Sequence, residues 1–385
     1  MDKVRLGIIG VGGMGCFHAD YIKNGCIDGC ELVAVCDIDP DRLVAHSGLK
    51  QYPDHKSLIE SGEVDAVLIA TPHYAHTWIG IDALNVGLHV LTEKPISVHV
   101  ADCRRLIAAH TANPKPVFAA MFNQRTVPAH RKVKQLIDMG ELGEIQRINW
   151  IITDWFRTEA YYASGSWRAT WKGEGGGVLL NQCPHQLDLM QWLFGTPTKV
   201  RAFCGVGARH DIEVEDQVTA YLEYANGGTG VFVTTTGEAP GTNRLEIAGD
   251  RGRVIIESDK ILFKRNETLA SEFCKTSSEC YVGPPTWDIE INVPPSPMQQ
   301  HMTVTQNFVN AILKGEPLIA PAEQGINSVE LANSMLYSSM KNVTVELPLD
   351  AIAYEQMLQG LIAISRYPKT EAKVVNRDIS KSFGH

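Results

Sequence analysis

Four groups of residues in this chain have the types and spacing to do chemistry. The first is Gly10-x-Gly12-x-x-Gly15, set directly after the apolar run "VRLGIIG" and opening a helix-like segment. Gly10 permits a tight turn, Gly12 lets backbone approach a pyrophosphate, and Gly15 lets helix and strand pack closely. A helix starting there offers free N–H groups and the positive end of its dipole to phosphates. Asp37 ends the next apolar run, "ELVAVCD", where a carboxylate can bind a ribose 2′-hydroxyl. Its charge disfavours a 2′-phosphate. "DIDP" carries no arginine, and Arg42 falls on the following helix. The expected cofactor is NAD rather than NADP.

The second group is Lys94, before Pro95 in "LTEKPIS", at the end of a buried strand. It is either a lysine that snorkels along apolar surface or a cation that meets a substrate hydroxyl beside a nicotinamide. The third is His185 in "GGGVLLNQCPHQLD", where three glycines lead into an apolar, strand-like run. His185 reads as a general base, a metal ligand or a structural histidine. No second ligand stands at helical spacing, so no metal site is expected. The glycines let backbone approach something closely, and Pro184 fixes the chain where the histidine is presented. Asp188, one turn on, is either its orienting carboxylate or a solvent-facing or capping acid. The fourth group is "DWFRTEAYYASGSWRATWKGE", with Asp154, Arg157, Tyr161, Tyr162, Trp167, Arg168, Trp171 and Lys172. Aromatic faces beside polar side chains suit a carbohydrate, and some of these rings belong equally well to a core or an interface. Trp167 and Arg168, just before the glycines, are the first choices for substrate contact.

These groups need two kinds of scaffold. Through residue 124, apolar runs alternate with helical patterns: "VRLGIIG", "ELVAVCD", "DAVLIATP", "HVLTEKP" and "KPVFAAMFN" are the strands. Such a pattern predicts a doubly wound parallel sheet, with ligands at the strands' carboxyl ends. From residue 125 to 385 the pattern predicts an α/β domain, a mostly antiparallel sheet with helices attached. Hairpins are expected at "ANGG" and "GDRG", and helices over 129–139, 304–314 and 323–341. "VGPPTWDIEINVPPSPMQQ" reads as a surface loop, and the polar end of the chain as a frayed terminus.

At 385 residues the chain exceeds one comfortable core, which agrees with two domains. A net charge of −9 offers no field for polyanions, so neither nucleic acid nor membrane is an expected partner. The nine cysteines form no zinc pattern. With no secretory leader evident, the expected setting is the cytoplasm, with reduced thiols.

"GVGGMG", "ATPHYAH", "GLHVLTEKPIS" and "GGGVLLNQCPHQLDLMQWLFG" together resemble the glucose–fructose oxidoreductase / inositol dehydrogenase / rhizopine-catabolism (Gfo/Idh/MocA) family. The likeness runs on through "YLEYANGGTGVF", "LEIAGDRGRV" and "NFVNAILKGEP". It implies a Rossmann domain followed by an α/β domain with a large open-faced, mostly antiparallel sheet that pairs into homodimers or homotetramers. It further implies hydride transfer between nicotinamide and a secondary hydroxyl of a sugar, sugar derivative or cyclitol such as inositol. An alternative within the family retains NAD and cleaves glycosides through a transient keto-sugar, or oxidises a glycoside for a partner that eliminates the aglycone. A non-catalytic binding protein is the third reading, and Lys94 and His185 argue against it.

Carried onto this chain, the resemblance puts Gly10, Gly12, Gly13, Met14 and Gly15 on the pyrophosphate and Asp37 on the adenosine ribose. Thr71, Pro72 and His76 line the nicotinamide side, with His73 where relatives often have asparagine. Glu93 meets the cofactor ribose and Lys94 the reacting hydroxyl, its direction fixed by a cis peptide to Pro95. Asn123 and Arg125 reach cofactor or substrate. His185 takes the proton. The departure is Asn181: many relatives carry an aspartate there, paired with the histidine. An amide orients but does not ionise. Without that anion, His185 is expected near its ordinary pKa of about 6.5.

Overall fold

The computed structural model describes residues 2–258 and 260–366, so the polar C-terminal stretch lies outside the described residues. The first sheet is six-stranded and all parallel: β1 (Val4–Ile9), β2 (Cys30–Cys36), β3 (Lys50–Tyr52), β4 (Ala66–Ile69), β5 (His89–Thr92) and β6 (Phe118–Ala120). Its order, β3-β2-β1-β4-β5-β6, is that of a Rossmann sheet. Leu6, Ile8, Val67, Leu68, Val90 and Leu91 are fully buried, because helices cover both faces. One layer is supplied late in the chain. Helix Gln300–Lys314 returns to pack against β1 and β5, joining Val304, Phe308 and Val309 to the core there.

The second sheet has nine strands: β7 (Ile145–Ile152), β8 (Lys199–Val206), β9 (Glu215–Glu223), β10 (Thr229–Thr235), β11 (Asn243–Gly249), β12 (Gly252–Glu257), β13 (Lys260–Asn266), β14 (Thr286–Ile291) and β15 (Val345–Glu346). Among the described residues, only β7 and β10 pair in parallel within it. Both expected hairpins form, β9–β10 and β11–β12. Helices Pro184–Phe194 and Gly325–Lys341 cover one face and bury Leu187, Met190, Leu331 and Met335 with Val200, Val218 and Leu222. The opposite face stays open and exposes Ile151, Phe203, Tyr221 and Leu262.

Two local expectations need correction. β14 lies inside the stretch read as a loop. Its flanking prolines stay outside the ladder, and it pairs with β13 as an edge strand. The strand-like run after the glycines is instead helical, Val178–Asn181, followed directly by Pro184–Phe194. A short apolar run does not distinguish a buried strand from a buried helical turn.

Candidate active site

β1 delivers Gly10 to a turn at φ +90°, where a Cβ would stand 2.9 Å from the Ala70 backbone. A Cβ on Gly15 would fall 1.9 Å from the Gly10 carbonyl, so this close helix–strand contact needs glycine. Helix Gly13–Lys23 starts with no side-chain cap, leaving first-turn N–H groups for an anion. Asp37 accepts from the backbone N–H groups of Val11 and Asp39, both at 2.9 Å. One expectation fails here. Arg42, although on the following helix, curls back to 3.6 Å from Asp37 and lines the same cleft.

At the ends of β4 and β5 the cleft deepens. The Thr71 and Pro72 turn leads into helix His73–Asn85. His73 is buried, faces the Glu174 carbonyl at 3.3 Å and packs edge-on against Trp167. Both ring nitrogens of His76 face carbonyl oxygens, Pro95 at 2.7 Å and Thr71 at 2.8 Å, so its ring ties two loops together. Glu93 pairs with buried His18 at 2.8 Å, and His18 in turn meets the Tyr21 hydroxyl at 2.6 Å. Burial alone would raise the Glu93 carboxyl. The hydrogen bond and charge of His18, with help from His301 and Lys94, overcome that and hold it at about 2.

The Lys94–Pro95 peptide is cis, as the motif implies. The Lys94 ammonium donates to the main-chain carbonyl of Asn181 at 2.7 Å. Burial pushes its pKa down, Arg168 and Arg157 push the same way, and Glu93 and Glu174 oppose them. His185 shares the cleft, packed edge-on against Phe122, and its buried Nδ1 has no protein partner. The expectation of an ordinary pKa is corrected. Burial, Lys94 and His301 drive His185 well below 6.5, with only Glu93 opposing.

His73, His76 and His301 are lowered too, His301 to about 4, burial being the main cause in each. In the unfolded chain these rings titrate near 6.5, so protons favour unfolding below that value. Stability is therefore full above about pH 6.5 and lost as pH falls toward 4. Thermal unfolding across that range should show the midpoint dropping. A base held this low also stays neutral in mild acid, so the acid limb of kcat/KM attributable to His185 should lie below 6.5.

Arg125 is not in the cleft. Its buried guanidinium clasps buried Asp188 at 2.6 and 2.7 Å and also reaches Gln324 and the Ile319 carbonyl. The same clasp removes Asp188 as an orienting partner for His185. Asn123 does line the cleft, donating to Gln300 at 3.0 Å. Of the aromatic segment, Asp154, Arg157, Tyr161, Trp167, Arg168 and Lys172 line the cleft. Tyr162 and Trp171 are buried in the second core. Arg168 lies over the rings of Tyr161 and Trp167, 4.8 and 4.5 Å from their centroids, and donates to the Tyr161 hydroxyl at 3.0 Å.

The triple glycine serves packing rather than the cleft. A Cβ on Gly175 would lie 2.2 Å from Val98, and one on Gly177 would lie 1.9 Å from the Glu215 carbonyl. Sequence reading also missed Glu174, a buried carboxylate that accepts from the Asn181 side-chain amide. Its only signal was an acid wedged between glycines in "KGEGGG".

The whole cleft encloses about 1540 Å³, more than an ordinary small-molecule pocket. Along it, the buried Thr71 Oγ1, Asn123 Oδ1 and His185 Nδ1 lack protein partners. With the Gly10–Gly15 turn and Asp37 at one end, these residues fit a dinucleotide. Residues 4–121 match the profile of the oxidoreductase family with an NAD-binding Rossmann fold, and residues 130–255 match the GFO/IDH/MocA C-terminal domain. The chain belongs to the Gfo/Idh/MocA family. Inositol 2-dehydrogenase of Salmonella typhimurium is 35% identical over 146 residues, covering 37% of this chain and 43% of that protein. The match thus spans less than half of that curated relative. Myo-inositol 2-dehydrogenase of Thermotoga maritima is 27% identical, covering 66% of this chain and 75% of that protein. Among solved members of the family, the WlbA dehydrogenase of Bordetella pertussis, in complex with NADH and UDP-GlcNAcA, superposes with a TM-score of 0.76. It is 25% identical, and the match covers 91% of this chain and 99% of that one. Among the described residues, no helix of this Gfo/Idh/MocA protein is long and apolar enough to cross a membrane.

Proposed function

We propose that this protein is an NAD-dependent dehydrogenase acting on a secondary hydroxyl of a sugar, sugar derivative or cyclitol. The observation that carries the reading is one cleft holding an anchored Lys94 ammonium and a half-buried His185 whose buried Nδ1 lacks a protein partner and whose basicity is held low. NAD, when bound along Gly10 to Gly15 and Asp37, would supply the two-electron redox chemistry. Lys94 donates to the substrate oxygen and stabilises the negative charge that builds there. His185 takes the hydroxyl proton, and the O–H electron pair stays on that oxygen. Asn181 acts through its main-chain carbonyl, which directs the lysine.

The test is NAD⁺ reduction across inositols, hexoses, sugar acids and simple glycosides. A wild-type protein that reduces NAD⁺ with none of them sinks the reading. The Asp37 carboxylate favours NAD, so the same panel run with NADP⁺ should be slower; Arg42 is the residue that would narrow the difference.

A second reading draws on size. Asn243, Leu245 and Glu257 line the same cleft as Trp167, and its volume of about 1540 Å³ leaves room beyond a free monosaccharide. That favours a substrate carrying a further group, as in a glycoside. Glycoside cleavage with no net NADH would replace the first reading by an NAD-retaining enzyme or a glycoside-oxidising partner.

The open sheet face supports a homodimer or homotetramer, since Phe203, Tyr221, Ile151 and Leu262 are exposed on it. Light scattering should return a multiple of 42.4 kDa, and a monomer at micromolar concentration would refute it.

A further inference from the structure

We propose that Glu174 is a positioning residue: it locks the Asn181 amide in one orientation and supplies the negative charge that keeps Lys94 an ammonium. Its catalytic consequence rests on the dehydrogenase reading, while its electrostatic consequence does not.

The geometry is a closed ring. Glu174 accepts from the Asn181 amide nitrogen through Oε1 and from the Ala169 N–H, at 2.6 Å, through Oε2. The Tyr161 hydroxyl donates to Asn181 Oδ1 at 3.1 Å, and Arg168 donates to that hydroxyl at 3.0 Å. Arg168 precedes Ala169 in the chain, which closes the ring. A carboxylate only accepts, so the Asn181 nitrogen must face Glu174 and its oxygen must face Tyr161. Ala169 is a non-glycine residue held at φ +58°, a conformation that needs support, and the Glu174 carboxylate provides it next to Arg168.

The charge has work to do. Lys94 is tethered to the carbonyl of the residue whose side chain Glu174 holds. Arg157 and Arg168 face Lys94 as like charges, with Glu93 and Glu174 opposing them. His73, His76, His185 and His301 also face it and are held neutral by burial. Glu93 is already matched by His18. Burial raises the Glu174 carboxyl, while Arg168, the Ala169 N–H, the Asn181 amide and Lys94 oppose that; Tyr162 and Glu215 also sense it. Among the described residues no cationic side chain forms an ion pair with Glu174, so its field is left for the lysine and Arg168. The amide at 181 follows as well. An aspartate there would set two carboxylates in contact and force them to share a proton.

The test compares wild type with Glu174→Gln and with Glu174→Gln/Asn181→Asp, which returns one anion to the pair. Trace acetylation of Lys94 against pH, read by peptide mass spectrometry, reports its ionisation without turnover. Glu174→Gln should lower the Lys94 midpoint by about one pH unit, and the double variant should restore most of it. On an accepted substrate, the alkaline limb of kcat should move down with the Lys94 midpoint and return with it. An unchanged midpoint in Glu174→Gln, with only thermal stability lost, overturns the proposal. If Glu174→Gln does not fold, a folded double variant decides: a wild-type midpoint supports the proposal and a lowered one overturns it. A wild type that turns over nothing refutes the dehydrogenase reading, yet the labelling still judges Glu174.

Discussion

Replacing Lys94 with alanine should cut kcat by about a hundred- to a thousand-fold while leaving NADH affinity nearly unchanged. The magnitude is that of one preorganised donor aimed at developing negative charge in a water-poor site. Such a loss amounts to roughly 3–4 kcal/mol of transition-state stabilisation. NADH binding should survive because, among the described residues, the lysine ammonium donates to the Asn181 carbonyl and to no residue of the Gly10–Gly15 turn. Stopped-flow turnover with fluorescence titration of NADH separates the two. Near-normal turnover in Lys94→Ala would remove the lysine from the chemistry.

Arg125→Met should be the most damaging single change to stability, at about 3–5 kcal/mol, because it strands Asp188 as an unpaired buried charge. Gln191 donates to Asp188 at 3.1 Å but brings no positive charge. Burial already raises the Asp188 carboxyl despite the arginine. Neutralising the partner in Arg125→Met/Asp188→Leu should recover most of the loss, since a packed apolar pair replaces a buried ion pair well. Thermal unfolding of the three proteins checks this. A single variant as stable as wild type would show that the carboxylate is satisfied some other way.

What could be read from the sequence was what lies close together in it. The turn from Gly10 to Gly15, Asp37 at the end of β2 and Lys94 before a cis-proline each announce themselves within a few residues. The parallel sheet with helices on both faces followed from alternating apolar and helical patterns, because each segment's burial is written in its own composition. The misreadings share a different cause. Arg125 looked like a ligand residue because nothing near it reveals that Asp188, sixty-three positions on, is its partner. Asp188 was weighed against His185 for the same reason. His18 meets Glu93 seventy-five positions away, so neither predicts the other. Glu174 sits only seven positions before Asn181, yet their contact depends on a helical turn that the apolar run disguised as a strand. The lowered basicity of His185 is a property of its surroundings, which no local motif reports.

The carbonyl of Asn181 has a consequence for how this cleft chooses what to hold. An ammonium has three donors, and one is already spent on a neutral oxygen of the protein itself. The other two are free for an incoming oxygen, but a neutral hydroxyl gains little from them over the water it displaces, so Lys94 adds little to the affinity of the resting complex. An oxygen gathering charge gains far more from the same donors. The carbonyl thus keeps the ammonium aimed without neutralising it, and the lysine's contribution falls on kcat rather than on KM.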